Sequence, residues 1–418
     1  MSWEIVFIAL VMLSLVHYFF DLKNLLNPFV FFYLYQTVFC FIALAYSDLL
    51  YPDIEVSDQL RAYIILAYIL TFVGALASRF LFSKSGITYI RVNQIYIERK
   101  PSRAFNYSAT ILFILGVLAF IYFTFKTDGF IVFAEDIENE RISRKAGAGL
   151  SNLIFVAFLL YGYAAILLNQ TRMPLVKTIL FLFTAFALVS YGSRAPLLKL
   201  MVAVFLILNI LSTKKITLGK LFKIGAVLLI ILAVLEAYRS NLGSPDASFI
   251  KLSMLRLGWR PFVNIQNLQR IYDFFPAQNG FLYGGSYLID FKLFLPGSHP
   301  NFGTYLKDLM NWEFEGGSIT TTFIGLGYLN FGKAAFFVYP FMYGFVFNSV
   351  YQLLIRERKV KNINLLFLLF FSIGVSGSVS TGLWGTLINN ILFLLVALVT
   401  HLAIKQMLVK RPLILRLE

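Results

Sequence analysis

The feature that most constrains this chain is a succession of apolar stretches of about 20 residues without charge, the length needed to cross a bilayer's hydrocarbon core. Only 14% of its 418 residues are charged and 59% are hydrophobic, against about 25% charged in a soluble domain. A soluble fold of this size has too little polar surface to cover so much apolar side chain. The stretches therefore predict an all-α integral membrane protein. Helices close their backbone hydrogen bonds within one segment, so a polytopic bundle of about 11 transmembrane helices is expected.

Spans are expected near Ile5–Phe20, Pro28–Tyr46, Ala62–Phe82, Tyr107–Phe125, Leu150–Leu168 and Leu175–Tyr191. Others fall near Ala195–Leu211, Phe222–Tyr238, Ala334–Ile355, Leu365–Val379 and Thr386–Ile404. The start, Met1-Ser2-Trp3-Glu4, lacks the basic region of a signal peptide, so the first span is expected to be retained. Lys84, Arg91, Arg99, Lys100 and Arg103 fill one short connection, Lys214, Lys215, Lys220 and Lys223 another, and Arg356, Arg358, Lys359 and Lys361 a third. All three share a side with the tail bearing Lys405, Lys410 and Arg411, which makes that side cytoplasmic. Asp48, Asp53, Glu55 and Asp58 face the other way.

Two connections on the outer side are long, Lys126–Gly149 and Arg239–Lys333. The expected organisation is spans in 1–238, a large extracytoplasmic loop with catalytic elements in 239–333, and further spans with a cytoplasmic tail in 334–418. Within the large loop, Ile319–Phe331 is apolar but short, and is expected to dip into the membrane edge or pack on the bundle. The net charge of +15 lies between spans. It reads as topology and contact with anionic membrane lipids, not as a nucleic-acid footprint. A single cysteine, Cys40, supports neither a disulfide nor a cysteine metal cluster, and no metal or nucleotide motif stands out.

The large loop carries the residues with the most chemistry. A helix is expected over Lys251–Tyr272, kinked or split at Pro261, with Arg256, Arg260, Asn267 and Arg270 on one stripe. Leu255, Trp259, Phe262 and Ile265 cover a different sector. Guanidiniums grip phosphate oxygens bidentately, so the stripe suits an anion such as pyrophosphate. Headgroup snorkelling or pairing with loop carboxylates is the plain alternative. Arg239 opens the same loop, and Arg194 ends a span on the same side, with Lys199 inside the next one. In the smaller loop Glu135–Lys145 reads as a short helix with Arg141 and Arg144 on one face, a pattern that a solvated, salt-bridged helix also gives. His299, in Pro296-Gly297-Ser298-His299-Pro300, is a candidate general base, with Asp273, Asp290, Glu313 and Glu315 competing. His17 and His401 lie near cytoplasmic span ends and read as packing residues.

Tyr283-Gly284-Gly285-Ser286-Tyr287-Leu288 is followed by Phe294-Leu295-Pro296, Gly316-Gly317-Ser318 and Thr320-Thr321-Thr322. Then comes Gly325-Leu326-Gly327-Tyr328-Leu329-Asn330-Phe331-Gly332. That order, with Tyr191-Gly192-Ser193-Arg194 before it, resembles the Wzy-type O-antigen and oligosaccharide repeat-unit polymerases of bacterial envelopes. Gly297 departs from the family's pattern, since many members carry a basic residue after the loop proline. The resemblance implies a GT-C-like helical membrane bundle in the bacterial inner membrane. It also implies a glycosyltransferase that moves a glycan from undecaprenyl pyrophosphate onto a second lipid-linked repeat unit at the outer face. No cofactor is implied, and a chain-length regulator protein is a candidate partner. An O-antigen ligase, a flippase or transporter of lipid-linked sugar, and a non-catalytic assembly subunit are the competing readings.

Overall fold

The computed structural model describes residues 3–22, 24–50, 55–82, 96–97, 101–134, 140, 149–169, 173–190, 192, 195–211, 223, 230, 249–292, 301–312, 319–355, 359–382 and 392–410. For 47–50, 96–97, 249–260, 290, 359, 392–393 and 409–410 it describes the backbone alone. The described chain is helical. Two two-residue strands, Tyr96–Ile97 and Lys359–Val360, are the only β structure among these residues. The helices fall into two compact units.

The first unit comprises Met1–Tyr96, Arg256–Val360 and Phe371–Ile388. Its helices begin with α1 (Trp3–Phe20), α2 (Pro28–Gln36), α3 (Ala43–Leu50) and α4 (Asp58–Phe82). On α1, Ile5, Ala9, Met12, Val16 and Phe20 are buried at helical spacing, while Phe7, Leu10, Val11 and Tyr18 on the other side are exposed. A helix apolar on every face finds its solvent in lipid. Asn27 caps α2, accepting from the Phe29 N–H at 3.0 Å, and Pro28 sits at the first helical position, where no N–H is needed. A π-helical stretch, Thr37–Ile42, joins α2 to α3.

The second unit comprises Ile97–Leu255, Lys361–Phe370 and Asn389–Glu418. It contains α5 (Arg103–Lys126), α6 (Gly149–Leu168), α7 (Pro174–Ser190) and α8 (Ala195–Leu211). α5 and α6 pack through reciprocal glycines. A Cβ on Gly116 would lie 2.6 Å from the Leu159 amide nitrogen, and one on Gly162 2.6 Å from that of Phe113. Close backbone approach of this kind is what holds helices together where lipid competes for apolar surface.

The chain continues with α9 (Phe249–Phe274), α10 (Gly285–Phe291), α11 (Phe302–Leu309), α12 (Phe323–Phe331), α13 (Ala335–Ile355), α14 (Asn362–Thr381) and α15 (Leu392–Lys410). α4 and α13 repeat the glycine device inside the first unit: a Cβ on Gly74 would strike the Phe341 carbonyl, and one on Gly344 the Thr71 carbonyl. Beside this seam Asn27 donates to Asn348 at 3.2 Å, Asn348 to the Ala75 carbonyl at 3.1 Å, and the Ser78 and Ser349 hydroxyls meet at 2.9 Å. Arg79 bonds the Phe19 carbonyl and lies beside the Phe19 and Phe20 rings. In the second unit His401 is buried against Ser108 and Phe105.

Seven helical stretches of the described chain are long and apolar enough to span: Trp3–Phe20, Pro28–Tyr46, Asp58–Phe82, Arg103–Lys126, Leu150–Leu168, Phe323–Ile355 and Asn362–Thr381. Pro174–Ser190, Ala195–Leu211 and Leu394–Leu408 are apolar but shorter. The expected span Phe222–Tyr238 lies outside the described residues, apart from two helical positions, 223 and 230. The count therefore stands at seven where the sequence suggests about eleven. Among the described residues α7 and α8, at 17 residues each, rise only about 25 Å against a hydrocarbon core of about 30 Å, and most of the expected span Phe222–Tyr238 and the start of Thr386–Ile404 lie outside the described residues.

Candidate functional site

The expected split at Pro261 is absent: α9 is assigned as one helix from Phe249 to Phe274. Helical register is therefore continuous from Arg256 to Arg270, and at 100° per residue Arg256, Arg260, Asn267 and Arg270 keep to one sector. The side chains of Arg256 and Arg260 lie outside the described atoms. Arg270 is half-buried, and its guanidinium stacks 3.7 Å from the centre of the Trp312 ring. Burial lowers its pKa from the ordinary guanidinium value, and no carboxylate pairs with it among the described residues. An arginine remains cationic under any ordinary condition. A half-buried guanidinium lying over an indole keeps hydrogen-bond donors with which it can meet an anion.

Hydrogen bonds around the helix, including one from Asn267 on the arginine sector, fix its position. Asn264 donates to the Ser380 hydroxyl at 3.1 Å and Asn267 to the Thr320 hydroxyl at 2.9 Å. Gln269 accepts from the Ser57 N–H at 3.0 Å and donates to Asp273 at 2.7 Å. Tyr272 donates to the Gln59 side-chain oxygen at 2.7 Å. Burial, then the nearby Tyr63 and Asp273, push the Tyr272 phenol upward, so it keeps the proton that this bond uses. The glutamine, asparagine and tyrosine contacts reach α4, the Thr320–Thr322 stretch and α14. The residues reached, Ser57, Gln59, Thr320 and Ser380, all belong to the first unit.

Thr322 shows where this clamp is under tension. It is fully buried at φ 55°, a conformation that a β-branched residue adopts only under constraint. Its N–H donates to the Ser380 carbonyl at 2.8 Å, and its hydroxyl accepts from the Gly325 N–H at 3.0 Å to cap α12. Every residue of α12 before Phe331 is buried, so the short apolar stretch packs within the protein, beside Leu268 and Ile271 of α9 and against α13. Asn330 gathers the glycine-rich motifs. It accepts from the Gly284 N–H at 2.8 Å and donates to Ser286 at 2.7 Å and to the Leu326 carbonyl at 2.7 Å. Leu282 and Tyr283 add backbone bonds to the carbonyls of Leu329 and Asn330. Among the described residues of these motifs, the shared role is to hold one another.

Of the expected arginines, Arg270 is the one whose side chain is described, and of the competing bases, Asp273, which accepts from Gln269. Asp290 lies on α10 with its side chain outside the described atoms, and His299, Glu315, Arg239, Arg194, Arg141 and Arg144 lie outside the described residues. Lys199 sits half-buried on α8. The sequence reading passed over Trp312 and Asn330. A tryptophan beside Asn311 in a polar connection was the available signal for the first. The second stands inside the quoted Gly325–Gly332 motif, but its bonds to Gly284 and Ser286 come from a distant part of the chain and leave no local signal.

The fold and this site define a multi-pass helical membrane protein whose segment between α9 and α12 is fastened to its spans and presents a stacked arginine. The model of the family described as "Putative O-antigen polymerase" matches residues 10–376, and the chain belongs to that family. No curated protein matches the chain. No solved structure matches it either.

Proposed function

We propose that the chain joins undecaprenyl-pyrophosphate-linked oligosaccharide repeat units into O-antigen or a related surface polysaccharide, at the outer face of the cytoplasmic membrane. The family match over residues 10–376 carries this reading. The stacked, half-buried Arg270 supports it, because a pyrophosphate leaving group needs a fixed cation. In this reaction the acceptor sugar's hydroxyl oxygen attacks the anomeric carbon of the donor glycan. The bond from that carbon to the phosphate oxygen breaks, and the electron pair leaves on undecaprenyl pyrophosphate. The acceptor's proton passes to a base.

Arg270, with Arg256 and Arg260 on the same helix sector, is assigned to the pyrophosphate. Arg239, Arg194, Arg141 and Arg144 are further candidates for the same charge. His299, Asp290 and Glu315 are the candidate bases, and a base positioned on the acceptor proton contributes about a hundredfold or more. Arg270 cannot fill that role, since it keeps its proton.

The deciding experiment is the surface glycan of a deletion strain. Lipid A-core capped with a single repeat unit is expected, and core with no repeat unit would instead indicate a ligase or a flippase. Topology has its own test. In whole cells an impermeant thiol reagent is expected to label Ser244→Cys and to miss Ser102→Cys; the reverse pattern would place the arginine-bearing segment in the cytoplasm.

A further inference from the structure

The turn entering α10 places a large aromatic ring where solvent would be its only neighbour in a soluble protein. Tyr283 stands at φ 45° and Gly284 at φ 91°. Glycine accepts such a backbone freely, whereas a bulky residue there is a genuine outlier. The side chain meets the edge of the Phe281 ring and is otherwise open, 78% exposed. Leu288 and Phe291, three residues apart on one face of α10, are 67% and 54% exposed. Lys292 follows them and is exposed as well.

Other positions of the same short helix are firmly attached. Ser286 is buried and accepts from Asn330 at 2.7 Å. The Tyr287 hydroxyl bonds the Tyr339 hydroxyl on α13, and burial together with Tyr339 raises the Tyr287 pKa well above that of a free phenol. Tyr339 borders a stripe of α13 on which Val338, Met342 and Val346 are exposed, and its ring also touches that of exposed Phe331. That stripe belongs to a helical stretch long and apolar enough to cross the membrane, so lipid covers it. The hydroxyl pair ties the helix that bears exposed Leu288 and Phe291 to that spanning stretch.

We propose that the Tyr283–Lys292 segment is a membrane-interface anchor. Tyr283, Leu288 and Phe291 seat in the boundary between acyl chains and headgroups, and Lys292 reaches the headgroup phosphates. A tyrosine at that depth keeps its ring in the apolar zone and its hydroxyl in the wet one, which is why aromatic belts form there. Lysine beside an apolar face extends its ammonium outward to anionic lipid. The anchor fixes the depth of the Gly284–Asn330 junction, and it stands whichever reaction the site performs.

The test is spin labelling of the full-length protein in lipid nanodiscs, with single cysteines placed at exposed positions. Native Cys40 is buried, and the unlabelled parent measures any background. Labels at Leu288→Cys and Phe291→Cys are expected to be relaxed by dissolved oxygen and spared by a water-soluble nickel chelate, as a label at Val338→Cys would be. A label at Gln278→Cys, exposed after α9, should show the opposite preference. Labels at 288 and 291 that follow Gln278→Cys would show the segment in water and overturn the proposal. Labels shielded from both reagents would place another polypeptide on this face and overturn it equally. As a second readout that uses no label, Leu288→Trp should gain fluorescence that brominated lipid quenches; fluorescence indifferent to bromination counts against the anchor.

Discussion

Gly344→Leu is expected to leave no folded protein in the membrane. Gly344 on α13 meets the Thr71 carbonyl of α4 backbone to backbone, and three residues along the other helix Gly74 meets the Phe341 carbonyl. Neither obstacle is a flexible side chain, so the helices themselves would have to separate. Overpacking a well-filled core costs about 1–3 kcal/mol even where neighbours can shift. Here separation would also pull Asn348 away from the Ala75 carbonyl and Asn27, leaving buried polar groups without partners. Losses of that size add up to a large part of a net stability of about 5–15 kcal/mol. Gly344→Ala should lower the melting temperature strongly, and Gly344→Leu should abolish the monodisperse peak after detergent extraction. Gly377 on α14 has open space around it, so Gly377→Ala serves as the neutral control. A Gly344→Leu protein that melts like the parent would refute the close contact.

The second large effect concerns the arginines. Alanine at any two of Arg256, Arg260 and Arg270 is expected to nearly abolish polymer made from purified lipid-linked repeat units, with protein levels unchanged. Removing one donor to a developing anion typically costs about a hundredfold to a thousandfold. Arg270→Ala alone should fall in that range. Arg270→Lys should recover only part of it, since lysine keeps the charge but loses the planar fork that both grips phosphate and stacks on Trp312. Trp312→Leu should be milder, because a cation–π contact contributes about 0.5–2 kcal/mol, roughly a factor of 2 to 30. Full activity in all three single alanine variants would remove this helix face from the donor site.

The helices were readable in the sequence because apolar runs of the right length have few alternatives, and the cap at Asn27-Pro28 was there to be seen. The helix through Pro261 was readable in position but not in continuity. Proline disfavours a helix interior locally, yet Asn264, Asn267 and Gln269 each gain a partner in the folded unit, and those contacts outweigh the local preference. The pairing of Gly74 with Gly344, or of Gly116 with Gly162, could not be read, because a glycine reveals permission for close approach and not the identity of its partner. The glycine-rich motifs pointed to the right family. Their described residues turn out to be fastenings centred on Asn330, whereas the stripe expected to carry charge contributes a side chain, Asn267, that is itself tied down.

Ser380 gives the membrane helix that carries it the character of a ruler. Its hydroxyl receives Asn264 and its carbonyl receives Thr322, so a single residue at the end of α14 sets two points on the segment that holds the arginine helix. One residue inserted or deleted between 371 and 380 would turn Ser380 by about 100° and displace it by about 1.5 Å along the axis. Both acceptors would then miss their donors together. Length change is therefore closed to this stretch of the span. The connection between Trp312 and Ile319 is under a different rule. Its ends are the indole over which Arg270 lies and the Ile319 N–H bonded to the Gly303 carbonyl at 3.2 Å, and between them stands Glu315, proposed above as a candidate base, so a length change there would be read in that residue and not in the arginine helix.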